Sequence, residues 1–209
     1  MNIGSLRKTC IRALADGGND NPQFEAEQLL MKFCGVTRND MLLFPALEVP
    51  EDKARAALDA VSRRLSGEPL QYILGEWEFY GLPFYVGEGV LIPRQDTETI
   101  AELAVSFAKG RRGAGFLAAD LCAGSGCIGI TLAKLAGVPV KLLELSEQAL
   151  GYLRRNIELN GVQRLCEALR ADVLSQETAD RLPALDLIVT NPPYLTAQDM
   201  RELQTEVAH

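Results

Sequence analysis

The chain has 209 residues, enough for one large domain or two smaller ones, and 47% of them are hydrophobic, so it can bury a substantial core. A formal net charge of −7 argues against a surface built on phosphate contacts, which is usually basic, and so disfavours bulk nucleic-acid binding. Five scattered cysteines (Cys10, Cys34, Cys122, Cys127, Cys166) form no Cys-x-x-Cys pair, which argues against a disulfide framework or structural zinc and fits a reducing cytosol.

The only histidine is His209, which leaves little room for histidine catalysis or metal ligation. No apolar run is long enough to cross a bilayer, and Met1 to Lys8 lacks a secretion signal. The expectation is a cytoplasmic monomer with no membrane partner and no direct nucleic-acid partner.

Residues 1–74 read as helical. Ile3, Leu6, Cys10, Ile11 and Leu14 recur at helical spacing before Gly17-Gly18. Pro22 opens a second helix with Phe24, Leu29, Leu30 and Phe33 inward, closed by Gly35. Met41 to Phe44 suggest a short third element. Glu51 to Leu65 form another helix, with Ala57, Leu58, Val61 and Leu65 inward and Arg55, Arg63 and Arg64 outward. The expectation is a small helical bundle. Trp77, Phe79, Phe84, Tyr85 and Val86 flank Gly81-Leu82-Pro83 and read as a β-hairpin, a linker over residues 75–94. Asp96 or Thr97 then caps a helix running through Ile100, Leu103, Ala104 and Phe107.

From about residue 115 strands and helices alternate. Strands are expected at Phe116–Leu121, Val138–Leu145, Ala168–Val173 and Leu185–Thr190. Helices are expected at Ile128–Leu135 and Ser146–Asn160, the latter with Ser146 as N-cap and Gly161 as its stop. Alternation at this spacing implies an α/β fold with a parallel, doubly wound sheet, in a domain spanning 95–209.

The strand ends carry the chemistry, because ligands of open α/β sheets bind there. The first strand runs into Cys122-Ala123-Gly124-Ser125-Gly126, whose small residues allow a ligand close to backbone. It is neither a dinucleotide fingerprint nor a phosphate loop, and a tight turn without a ligand explains it equally well. The second strand ends in Glu144, placed to accept hydrogen bonds from a ribose diol or, alternatively, to cap near Ser146. The third ends in Asp172-Val173, suited to an adenine amino group and ring, or simply an exposed loop acid. The fourth ends in Asn191-Pro192-Pro193-Tyr194, an amide, two stiff prolines and an aromatic face that can orient a planar amide or amino group. A nucleoside cleft without a phosphate grip fits S-adenosyl-L-methionine, with the fourth motif beside its methyl.

Four stretches resemble the release-factor glutamine methyltransferase family (HemK/PrmC). They are Gly67 to Gly75, Phe79-Tyr80-Gly81 with Val90 to Glu98, Asp120 to Gly126, and Asn191 to Tyr194. The first two are specific to that family; the last two recur in many methyltransferases. The resemblance implies a class I methyltransferase-like (Rossmann-like) sheet, a helical bundle that docks the substrate protein, and S-adenosylmethionine bound by Cys122, Ala123, Gly124, Ser125, Gly126, Glu144, Asp172, Val173 and Asn191. It implies methyl transfer to the glutamine of the Gly-Gly-Gln loop of class 1 peptide-chain release factors, without metal. Asn191, Pro192 and Tyr194 would be catalytic, and Asn191 through Tyr194 would hold the substrate amide. Two departures stand out: Cys122 replaces the loop's first glycine, and Glu144 replaces the more usual Asp. Family members also continue past this point, so the chain is expected to be a truncated form with an incomplete sheet. The rival expectations are an N6-adenine-type nucleic-acid methyltransferase and a noncatalytic fragment that only binds a partner.

Overall fold

A computed structural model of the chain describes residues 1–111 and 115–193. They fall into two compact units that divide between Leu74 and Gly75.

The first unit is helical: α1 (Ile3–Asp16), α2 (Pro22–Cys34), α3 (Arg38–Leu43), α4 (Glu51–Leu65) and the short α5 (Leu70–Leu74). Asn2 caps α1 through its side chain, and Thr37 and Asp40 form a reciprocal capping box on α3. Gly35 ends α2 in the left-handed conformation, φ 69°, as its position after the last apolar residue suggests. Ile3, Leu6, Cys10 and Leu14 from α1 are buried with Ala26, Leu29 and Leu30 from α2 and Ala57 and Val61 from α4. Several inward assignments from helical spacing need correction. Phe24, Leu58 and Leu65 are exposed, and alanines (Ala54, Ala57, Ala60) carry the buried face of α4. Arg64 faces inward, pairing at 2.6 Å with Glu25, and both side chains are only 12–13% exposed.

The second unit opens with the antiparallel hairpin β1 (Glu76–Phe79) and β2 (Leu82–Tyr85). Phe79 pairs with Leu82, so the loop is Tyr80-Gly81 alone, with φ of 52° and 73°. Two consecutive positive φ values are what a tight two-residue hairpin requires. The turn is therefore one residue earlier than Gly81-Leu82-Pro83. Phe79 and Phe84 sit edge to face at 6.1 Å between ring centroids, buried in the core. In α6 (Gln95–Gly110) neither Asp96 nor Thr97 caps; Arg94 holds the cap position without a side-chain bond. Glu98 in its first turn instead accepts from the Tyr80 N–H at 2.9 Å.

Then β3 (Ala118–Leu121), α7 (Cys127–Ala136), β4 (Val140–Glu144), α8 (Glu147–Leu159), β5 (Cys166–Arg170), α9 (Gln176–Arg181) and β6 (Leu187–Thr190) follow in order. The sheet order is β5-β4-β3-β6 and every pairing is parallel. Asp186 fixes the last strand beside the first: its N–H donates to the Leu117 carbonyl, and its Oδ2 accepts from the Leu117 N–H. Ser146 caps α8 and Gly161 follows it at φ 66°. Ile130, Leu132, Leu142, Leu150 and Leu153 fill the core between α7, α8 and the sheet.

Candidate active site

Parallel pairing brings the C-terminal ends of all four strands to one side. From β3 the chain steps outward to β4 and β5, and returns to β6 on the other flank. The order reverses between β3 and β6, and the crevice at such a switch point is where open α/β sheets take ligands. Leu121 is level with Thr190, whose Oγ1 donates to the Leu121 carbonyl at 2.7 Å. The residues that follow, Cys122 on one strand and Asn191 on the other, therefore emerge side by side. Glu144 is level with Arg170, two residues before Asp172.

The loop from Cys122 to Gly126 is fixed by its backbone. The Ala123 N–H reaches the Leu143 carbonyl at 2.9 Å and the Gly126 N–H the Ala123 carbonyl at 2.8 Å. Gly124 and Gly126 are left-handed, φ 56° and 83°, and so is Cys122 at 61°. A β-carbon at Gly124 would meet nothing within 4 Å, so a ligand can approach this backbone. At Gly129, in contrast, a β-carbon would lie 2.3 Å from Leu142 and 2.9 Å from the Asp120 β-carbon, which explains the glycine where α7 crosses the sheet. The Gly129 N–H donates to Asp120 Oδ2 at 2.8 Å. Asp120 is 1% exposed; burial pushes its carboxyl up to about 7, against the Gly129 hydrogen bond, with Glu144 adding to the rise.

Glu144 makes the local contact near Ser146 that the second of its two readings expects. Its Oε2 accepts from the Gly124 N–H and its Oε1 from the Ser146 N–H, each at 2.8 Å. Each carboxylate oxygen accepts more than one hydrogen bond, so capacity for a diol remains. Asp172 is exposed in its loop and accepts from the Leu174 N–H at 2.9 Å, beside the half-buried Val173. The Cys122 thiol is raised by burial first, then by Glu144, with Asp120 and Asp172 contributing. Glu144 and the exposed Asp172 thus put two carboxylates at neighbouring strand ends of the crevice, with Asp120 buried beneath, and among the described residues neither of the two is in an ion pair. Such a crevice suits a cation with hydroxyl groups and repels a phosphate. Asn191 is half-buried, while Pro192 and Pro193 are exposed. Tyr194 lies outside the described residues.

Asn156 on α8 and Asn160 at its C-cap were not singled out by sequence. Asn156 is fully buried and links Ser125 of the loop to Tyr85 of the hairpin. The signal was present: positions 149, 150, 153, 156, 157 and 160 form one inward face, and two of them are asparagines.

The class of protein that the second unit matches is a methyltransferase domain. Residues 5–75 match the PrmC N-terminal domain family and residues 103–208 the methyltransferase small domain family. The release factor glutamine methyltransferase of Chlorobaculum tepidum is 38% identical over 98% of this chain and 71% of its own length. That of Geobacter sulfurreducens is 41% identical over 93% of this chain and 66% of its own length. A crystal structure of a SAM-dependent methyltransferase from Agrobacterium tumefaciens is 20% identical over 57% of this chain and 40% of that chain, with a TM-score of 0.48. The chain belongs to the release factor glutamine methyltransferase family, and spans about two thirds of the length of these two relatives. Among the described residues no helix is long and apolar enough to cross a membrane.

Proposed function

We propose that the second unit binds S-adenosylmethionine at the β3–β6 switch point and methylates the side-chain amide nitrogen of the Gly-Gly-Gln glutamine in a peptide-chain release factor. The observation that carries this reading is the level pairing of Leu121 with Thr190, which sets Asn191-Pro192-Pro193 beside the glycine loop and Glu144. The residues present fit that cofactor: open space over Gly124, a carboxylate for a diol, and an acidic crevice for a cation. Glu144 would hold the ribose, Asp172 and Val173 the adenine, and the backbone of Cys122 to Gly126 the methionine portion. When bound, the cofactor supplies an electrophilic methyl on a positively charged sulfur.

An amide nitrogen is a weak nucleophile because its lone pair is delocalised into the carbonyl. The Asn191 side-chain oxygen and the Pro192 carbonyl would accept its two N–H bonds and aim the nitrogen. Positive charge develops on that nitrogen as it bonds to the methyl carbon and the carbon–sulfur bond breaks. The two acceptors then bind more strongly than in the ground state, which is the condition for catalysis. One N–H proton leaves to solvent. Tyr194 would stack on the amide plane, and two prolines limit the backbone motion that would spoil the aim. Orientation alone contributes up to about 7–11 kcal/mol in ideal cases, so the reading needs no metal. The helical first unit would dock the release factor. Incubation with labelled S-adenosylmethionine and a release factor tests the reading: label belongs on the loop glutamine, and label on an adenine-containing nucleic acid instead would favour the nucleic-acid alternative.

A further inference from the structure

We propose that Asn156 is a positioning residue for the cofactor loop, holding it in fixed placement against the hairpin. This rests on reading Cys122 to Gly126 as the cofactor loop. Asn156 Nδ2 donates to the Ser125 carbonyl at 2.9 Å and to the Tyr85 carbonyl at 3.1 Å, while its Oδ1 accepts from the Tyr85 N–H at 2.7 Å. One side chain therefore satisfies three backbone groups on two separate elements. The site faces inward between Leu153 and Ile157, where an aliphatic residue would pack as well. A fully buried amide there is accounted for by the partners it joins.

The loop's other anchors come from its own backbone, from Leu143 and from Glu144. Asn156 alone among the described side chains holds the Ser125 carbonyl, between the two left-handed glycines whose conformation shapes the loop. The hairpin keeps further attachments without Asn156. Asn160 Nδ2 donates to the Pro83 carbonyl at 2.9 Å, Arg155 lies 4.4 Å over the Tyr85 ring, and Phe79 and Phe84 remain in the core. Asn160 touches the hairpin and not the loop, which makes it the matched control.

The test compares the full chain with its Asn156→Ala and Asn160→Ala variants by amide hydrogen exchange and by calorimetry with S-adenosylmethionine. In Asn156→Ala the Gly124 and Gly126 amides are expected to exchange roughly tenfold faster and affinity to fall about tenfold, the scale of one lost buried hydrogen bond. In Asn160→Ala the loop amides and affinity stay within about twofold of the parent. Asn156→Asp keeps the acceptor for Tyr85 but sets a carboxylate against two carbonyls. Its affinity deficit relative to the parent should grow as pH rises, a dependence that simple loss of packing would not give. Parent-like loop exchange in Asn156→Ala, equal losses in both alanine variants, or a pH-independent deficit in Asn156→Asp would each overturn the proposal. If the parent itself binds no S-adenosylmethionine, the cofactor reading falls, while the exchange measurements still decide the coupling between hairpin and loop.

Discussion

Asp120→Asn should remove most of the pH dependence of the second unit's stability between about pH 4 and 7. Asp120 is fully buried at the end of β3, and burial raises its carboxyl from the ordinary 3.8 to about 7. An acid with a raised folded pKa binds its proton more tightly folded than unfolded. Its contribution is therefore fully present below about pH 4 and is lost as pH rises through about 7. A tenfold difference in proton affinity corresponds to about 1.36 kcal/mol, so the loss amounts to roughly 4 kcal/mol across that window. Asparagine keeps an oxygen for the Gly129 N–H, 2.8 Å away, and cannot ionise. Urea unfolding at several pH values, followed by the fluorescence of Trp77 in β1, reads the right unit. The parent should weaken steadily across the window while the variant stays nearly flat, crossing from equal or lower stability to higher. Parallel curves for the two proteins would show that Asp120 is not the titrating group.

Three further perturbations probe other links. Thr131 on α7 is fully buried and its hydroxyl has no hydrogen-bond partner among the described residues, so Thr131→Val should raise stability by about 1 kcal/mol in the same urea assay; a loss of that size would mean the hydroxyl is satisfied. Cys122 adopts φ 61°, a region that favours glycine, so Cys122→Gly should leave stability unchanged or raise it by up to about 1 kcal/mol, and a clear loss would point to a packing role for the thiol. Arg64→Ala breaks the largely shielded pair with Glu25 and should lower the thermal midpoint of the helical unit, by circular dichroism, by an amount equivalent to about 2–3 kcal/mol; an unchanged midpoint would reduce the pair to a surface contact.

Much of the catalytic unit could be read from apolar runs bounded by small or polar residues. The first, second and fourth expected strands fall within a few residues of β3, β4 and β6, and their ends carry the motif residues. The third is displaced: β5 is Cys166–Arg170, because Cys166 pairs with Val140, and cross-strand register outweighs where the local apolar residues lie. Helix α9 escaped notice because none of its residues is buried, so it has no apolar periodicity. The hairpin turn was misplaced because Pro83 looks like a turn residue, yet only Tyr80-Gly81 supplies two positive φ values. Asp96 and Thr97 look like caps by residue type, but the helix starts at Gln95, ahead of both. The Glu144 contact with Ser146 is local and legible, whereas its contact with Gly124 depends on β3 and β4 lying side by side, which local sequence does not encode.

The most direct test combines transfer with one substitution: labelled S-adenosylmethionine, a release factor, and either the parent chain or Asn191→Ala, with the labelled residue mapped by mass spectrometry. The expected result is one methyl on the Gly-Gly-Gln glutamine with the parent. With Asn191→Ala the rate at saturating S-adenosylmethionine should fall on the order of 100-fold or more while urea stability stays close to the parent's. No label on that glutamine, or a variant as active as the parent, would contradict the role assigned to the β6 motif.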